Sequence, residues 1–118
     1  MLETIVIVTG GFDPIHSGHI AYLNEAKKLG DILIVGINSD DWLINKKGRP
    51  FMPMTERSEI IKNLAVVDSI VMFDDHDNSA SGAIRKVLKK YPDNRIIFAN
   101  GGDRTSNNIS EMQHFKDK

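Results

Sequence analysis

Gly10-Gly11-Phe12-Asp13-Pro14-Ile15-His16-Ser17-Gly18-His19 joins two segments of opposite character, and that junction decides the fold. Before it runs Ile5-Val6-Ile7-Val8, an unbroken β-branched stretch suited to a parallel strand buried on both faces. After it, from Ser17 to Leu29, Ile20, Leu23 and Ala26 recur at three-residue steps with polar residues between them, a helical pattern stopped by Gly30. The order is therefore strand, glycine turn, helix. The same alternation continues outward. Ile32 to Ile37 reads as a second strand, Asn38 to Arg57 as an irregular connection through Pro50 and Pro53, and Glu56 to Leu64 as a helix. Ser69 to Phe73 is a third strand, and Asp74 to Ser81 is polar and turn-rich. Ala83 to Leu88 is helical, Pro92-Asp93-Asn94 breaks it, and Arg95 to Ala99 is a fourth strand. A short helix is expected from Ser106. Strands alternating with helices predict an α/β fold with a doubly wound parallel sheet and ligands beyond the carboxyl ends of its strands. The turns after the first, second and fourth strands then share one edge, the last of them at Asn100 to Arg104.

A chain of 118 residues fits one domain, so residues 1–118 are expected to form a single core with one site. A net charge of -1 with acids and bases interspersed gives no basic field to hold a nucleic-acid backbone, so any bound phosphate is held locally. The absence of cysteine excludes disulfides, thiolate catalysis and cysteine-ligated zinc, and it suits a reducing compartment. The first residues lack the basic start and long apolar stretch of a signal peptide, so the cytoplasm is expected and no membrane is.

Glycines allow close backbone approach to a phosphate, and the free N–H groups of a helix N-terminus offer about half a positive charge. His16 and His19, three apart in a first helical turn, project to one side, and Gly18 between them leaves room for a ligand. Such donors suit in-line attack at an α-phosphorus, where charge builds on the phosphoryl oxygens as pyrophosphate leaves; each is worth about 3 kcal/mol in the transition state. A zinc reading of the pair fails for want of a third ligand at fixed spacing. A dinucleotide reading fails because Gly10-Gly11 does not continue into G-x-G-x-x-G.

The decapeptide resembles the signature of the HxGH nucleotidyltransferase, or cytidylyltransferase-like, superfamily. Leu29-Gly30-Asp31, the Asn38-Ser39-Asp40 end of the second strand, Lys47-Gly48-Arg49-Pro50, Glu56-Arg57, Val67-Asp68 and Gly101-Gly102-Asp103 follow in the superfamily's order. Lys-Gly-Arg-Pro and Gly-Gly-Asp are most similar to heptose-1-phosphate adenylyltransferases, with glycerol-3-phosphate cytidylyltransferase close behind. The resemblance implies a Rossmann-like domain that moves AMP or CMP from ATP or CTP onto a phosphorylated sugar or polyol, with Mg²⁺ on the triphosphate. It assigns His16 and His19 to the transferring phosphoryl group and leaving pyrophosphate, with Gly10, Gly11, Phe12 and Gly18 around the phosphates. Lys46 or Lys47, in a loop, would reach the triphosphate or the acceptor phosphate, and Arg57 the phosphates by its planar fork. Alone, Arg57 also reads as a surface ion pair with a helix glutamate. Gly102 and Asp103 would meet the base or ribose. Asp13 would contact the acceptor or orient its loop, and Asp40 would approach the acceptor. Trp42 reads as packing or a subunit contact. Two departures stand out: Gly11 replaces a frequent threonine or valine, and the superfamily's fifth strand and Ser/Thr-rich triphosphate-binding helix start have no counterpart before Lys118. Either the domain is a shortened or natural miniature form, or a homodimer partner is expected to cover the fourth strand's edge and complete the site, and a nucleotide-binding or interaction module with reduced or lost catalysis is the alternative.

Overall fold

The computed structural model describes residues 2–77 and 79–99. Four strands, β1 Thr4–Gly10, β2 Ile32–Ile37, β3 Ser69–Met72 and β4 Arg95–Phe98, alternate with four helices, α1 Ser17–Lys27, α2 Asp40–Lys47, α3 Met54–Lys62 and α4 Ser81–Lys90. All strand pairs are parallel, in the order β3-β2-β1-β4. Ile5 to Val8 are completely buried because each face of β1 meets a different layer. Val6 and Val8 join Leu23 and Ala26 of α1 and Ile61 of α3, whereas Ile5 and Ile7 join Ile84 and Val87 of α4. The two-sided burial implied by the β-branched run is thus realised by helices on both faces. Among the described residues no helix is long and apolar enough to cross a membrane.

Charged residues fasten the amino-terminal edge of the sheet. Thr4 and Asp31 exchange bonds: the Thr4 N–H donates to the Asp31 carboxylate at 2.8 Å, and the Asp31 N–H donates to the Thr4 carbonyl at 2.9 Å. Lys27 Nζ reaches both the Asp31 carbonyl and the Asp68 carboxylate, and Asp68 also accepts from the Leu33 N–H. Gly30 is needed here for proximity, since a Cβ would lie 2.9 Å from the Thr4 carbonyl oxygen.

One expectation requires correction. The connection after β2 is not wholly irregular, because Asp40–Lys47 is helical and carries Lys46 and Lys47 in its last turn rather than in a loop. Its local signals are complete. The Ser39 hydroxyl caps the Trp42 N–H, acids open the helix, lysines close it, and Gly48 at φ 97° ends it. Only Leu43 of this helix is buried, so it shows no apolar stripe. The expected Asn100 to Arg104 turn and the helix from Ser106 lie outside the described residues.

The sheet order changes direction between β1 and β4, which places the crevice for a ligand beyond Gly10 and Phe98. Tyr22 of α1 donates to the Ala99 carbonyl across that crevice.

Candidate active site

His16 is the N-cap of α1, and it pairs with His19 in a reciprocal capping box. The Gly18 N–H donates to His16 Nδ1 and the His16 N–H donates to His19 Nδ1, both at 3.1 Å. Each Nδ1 therefore acts as an acceptor, which puts the proton of each neutral ring on Nε2. The rings lie 4.0 Å apart between centroids and tilt by 36°, so the two imidazoles are immediate neighbours at the start of α1. Burial and the neighbouring His16 hold the His19 pKa below its ordinary value of 6.5, favouring the neutral form. The first turn of α1 carries no acid to offset the positive end of the helix dipole.

The glycine turn is drawn inward. The Gly10 carbonyl accepts from the Asn38 N–H, and the Gly11 carbonyl accepts from Arg57, so the oxygens that would repel a phosphate are engaged by the protein. A Cβ at Gly10 would meet the Phe12 ring at 3.1 Å, one at Gly11 would meet Leu43 at 3.0 Å, and one at Gly18 would meet the His16 ring at 2.8 Å. Phe12 is left-handed at φ 53°, its ring is buried, and the ring meets His19 in an edge contact with centroids 5.2 Å apart.

Several residues expected at a phosphate or the acceptor also have partners within the chain. Arg57 is fully buried. Its Nε donates to the Met52 carbonyl, one terminal nitrogen donates to the Gly11 and Asn38 carbonyls, and the other pairs with Asp40 at 2.6 Å. Four of its five N–H groups are thus taken within the chain, and Asp40 faces the guanidinium. The Asp13 side chain is 1% exposed and accepts from the Phe51 and Met52 N–H groups, tying the glycine turn to the segment before α3. Lys47 is salt-bridged to Asp13 at 2.8 Å. Burial pushes the Asp13 carboxyl up, but Lys47 and the two backbone donors outweigh it and hold the group below its ordinary 3.8. Gly102 and Asp103 lie outside the described residues.

Lys46 instead lies 4.6 Å from the centroid of the Trp42 ring, at a cleft that sequence reasoning missed. Two overlapping recesses of about 420 and 490 Å³ share Trp42, Asn45, Asp75 and His76. Asp75 is buried and accepts from Asn38 Nδ2, the Ser39 N–H and the Ser39 hydroxyl, tying the ends of β2 and β3 together. The Trp42 ring runs from this cleft to within 3.5 Å of where a Gly11 Cβ would stand, so the cleft and the phosphate-facing turn share a wall. The one local hint was Asn38-Ser39 at a strand end, two polar residues that need a buried partner.

The cytidylyltransferase-like family model matches residues 7–117. The bifunctional protein HldE of Pasteurella multocida (strain Pm70) is 35% identical over 98% of this chain, and that of Blochmanniella floridana is 42% identical over 91%. The chain spans only 29% and 21% of the lengths of these two relatives. The lipopolysaccharide core biosynthesis protein from Thermoplasma volcanium GSS1 superposes with a TM-score of 0.64 at 24% identity, covering 87% of this chain and 99% of its own, a likeness of fold.

Proposed function

The chain belongs to the cytidylyltransferase-like family, and on that premise we propose that it is a nucleotidyltransferase, moving AMP or CMP from ATP or CTP to a phosphorylated sugar or polyol. The observation that carries this is the histidine pair: two imidazoles, each with Nδ1 engaged by a backbone N–H so that Nε2 is left as the outward donor, lie 4.0 Å apart at an acid-free helix start. An oxygen of the acceptor phosphate attacks the α-phosphorus, the bond to the bridging oxygen breaks, and pyrophosphate leaves with that bonding pair. The imidazoles stabilise charge on the phosphoryl and leaving oxygens, already oriented before the reaction starts. A phosphate dianion is itself the nucleophile, so no general base is required. Mg²⁺ arriving on the triphosphate would neutralise its oxygens.

The cleft beside Trp42 is read as the seat of the acceptor. Its volume suits a small polar ligand, Lys46 offers an ammonium for the acceptor phosphate, and Trp42 offers a flat face for a sugar ring. Lys47-Gly48-Arg49-Pro50 supports a sugar 1-phosphate over glycerol phosphate, by its similarity to heptose-1-phosphate adenylyltransferases. Among the described residues β3 and β4 are both edge strands, which supports a homodimer that covers one of them.

The deciding experiment incubates the full chain with ATP or CTP, Mg²⁺ and a panel of sugar and polyol phosphates. It follows pyrophosphate release alongside the thermal shift produced by each triphosphate. Release with one triphosphate and one acceptor class is expected. A thermal shift with no release from any pair would make the pocket a nucleotide-binding module and overturn the transferase reading, and the absence of both signals would overturn nucleotide binding as well.

A further inference from the structure

We propose that Arg57 is a positioning residue for the histidine pair, gripping the Gly11 to Asp13 turn by its backbone so that Phe12 holds His19 in place. The proposal depends on the nucleotidyl-transfer reading only in treating those rings as the reacting groups.

Arg57 stands in an unfavourable place for a cation. It is completely buried, where an ion loses its hydration, and it sits in the first turns of α3, near the positive end of that helix dipole. What compensates is a set of carbonyls from three separated segments, Gly11 after β1, Asn38 after β2 and Met52 before α3, together with Asp40. No lysine could serve all of these, because a planar guanidinium presents five donors in fixed directions and an ammonium presents three from one point. A cation whose donors are spent on backbone carbonyls fixes main-chain positions.

Those positions bear directly on the histidines. Met52 is shared, its carbonyl accepting from Arg57 and its N–H donating to Asp13. The turn is therefore held on both sides of Phe12, at the Gly11 carbonyl by Arg57 and at the Asp13 carboxylate by Phe51, Met52 and Lys47. Phe12 between them keeps a left-handed backbone that a bulky residue rarely adopts, and this conformation accompanies the edge contact of its ring with His19. His19 in turn accepts from the His16 N–H. The contacts run without a break from a residue on α3 to both imidazoles.

The test uses the full chain labelled with ¹⁵N and reads the histidine ring nitrogens by NMR at pH 8 without ligand, in wild type, Arg57→Lys and Ile61→Ala. Ile61 lies in the same helix with its side chain in the core, so its variant reports loss of stability alone. In wild type both rings are expected in the Nε2–H form. Arg57→Lys should erase that preference at His19, while Ile61→Ala retains it despite a lowered Tm. If Arg57→Lys does not fold, Asp40→Ala, which leaves the three carbonyl bonds, should show a smaller change of the same kind. Unchanged rings in the folded Arg57→Lys, or in Asp40→Ala where that variant has to serve, overturn the proposal, as does an equal change in Ile61→Ala.

Turnover supplies the second readout. Because displacement by about 1 Å can cost on the order of 100-fold in rate, the saturated rate of the folded Arg57 variant should fall by roughly that factor. Half-saturation for the triphosphate should move by less than about threefold. A raised half-saturation with an undiminished saturated rate would make Arg57 a phosphate contact and overturn the proposal. The NMR result needs no turnover. A wild-type protein without activity would sink the proposed function, and the positioning role would still stand or fall on the ring nitrogens.

Discussion

Replacing Gly18 by alanine separates what the histidine cap does for chemistry from what it does for folding. The new Cβ would stand 2.8 Å from His16 Cε1 and 3.0 Å from Nδ1, whereas ordinary contact begins near 3.4 Å. The ring must therefore retreat by about 0.6 Å or rotate away, because the backbone of α1 is fixed and the side chain of His16 is exposed. Alanine in a helix is worth about 0.5 to 1 kcal/mol over glycine, and loss of the bond from Gly18 N–H to His16 Nδ1 costs about 1 kcal/mol. These nearly cancel, so Tm should move by less than about 4 °C. Chemistry has no such compensation. A ring displaced by that distance should lower the saturated rate on the order of ten- to 100-fold, and one turned fully away by up to about 1000-fold. Calorimetry and pyrophosphate release on the same preparation decide it. A variant with an unmoved Tm and the wild-type rate would show that the His16 ring does not act on the phosphate.

Three further outcomes are expected. Because the His19 pKa is held below 6.5 in the folded chain, the unfolded chain binds more protons in that window, and stability that is full above pH 6.5 falls as pH drops below it. Protonated His76, favoured by Asp74, contributes in the opposite sense, so the readout is the difference between wild type and His19→Asn in Tm against pH; parallel curves would refute it. Asp13→Ala strips the partners from the Phe51 and Met52 N–H groups and from Lys47, which should cost about 1 to 3 kcal/mol and speed proteolysis between Gly48 and Pro53, and unchanged cleavage would count against it. Lys46→Gln should raise half-saturation for the acceptor on the order of tenfold or more and leave that for the triphosphate unaltered; the reverse pattern would move Lys46 to the donor side.

What could be read from the sequence followed from signals that are local and repeated. The Ile5 to Val8 run, the glycine turn and the three-residue steps of α1 each report on the residues that form them, and together they placed the histidines at the carboxyl end of a buried strand. Helix α2 escaped although its cap, its charges and its glycine stop are all present, because with only Leu43 buried it carries no periodic stripe. Arg57 was named for the phosphates, but its buried seat escaped for a different reason. Its carbonyl partners come from segments as far apart as Gly11 and Met52, and backbone oxygens carry no sequence signature. Asp75 looked like one more acid in a polar turn, and only the meeting of two strand ends shows that Asn38 and Ser39 need it. The left-handed Phe12 runs against the rule that would put glycine there, as residues at working sites often do.

The lysine and carboxylates at the amino-terminal edge stand apart from all of this. They lie on the edge opposite the histidines, the seven residues of β1 spanning about 23 Å between the two edges. At that distance substitutions on the two sides share no partner, and their free energies should simply add. A Lys27 or Asp68 variant is then a thermostat for this protein, shifting the melting of the whole while the reactive rim keeps its own arithmetic.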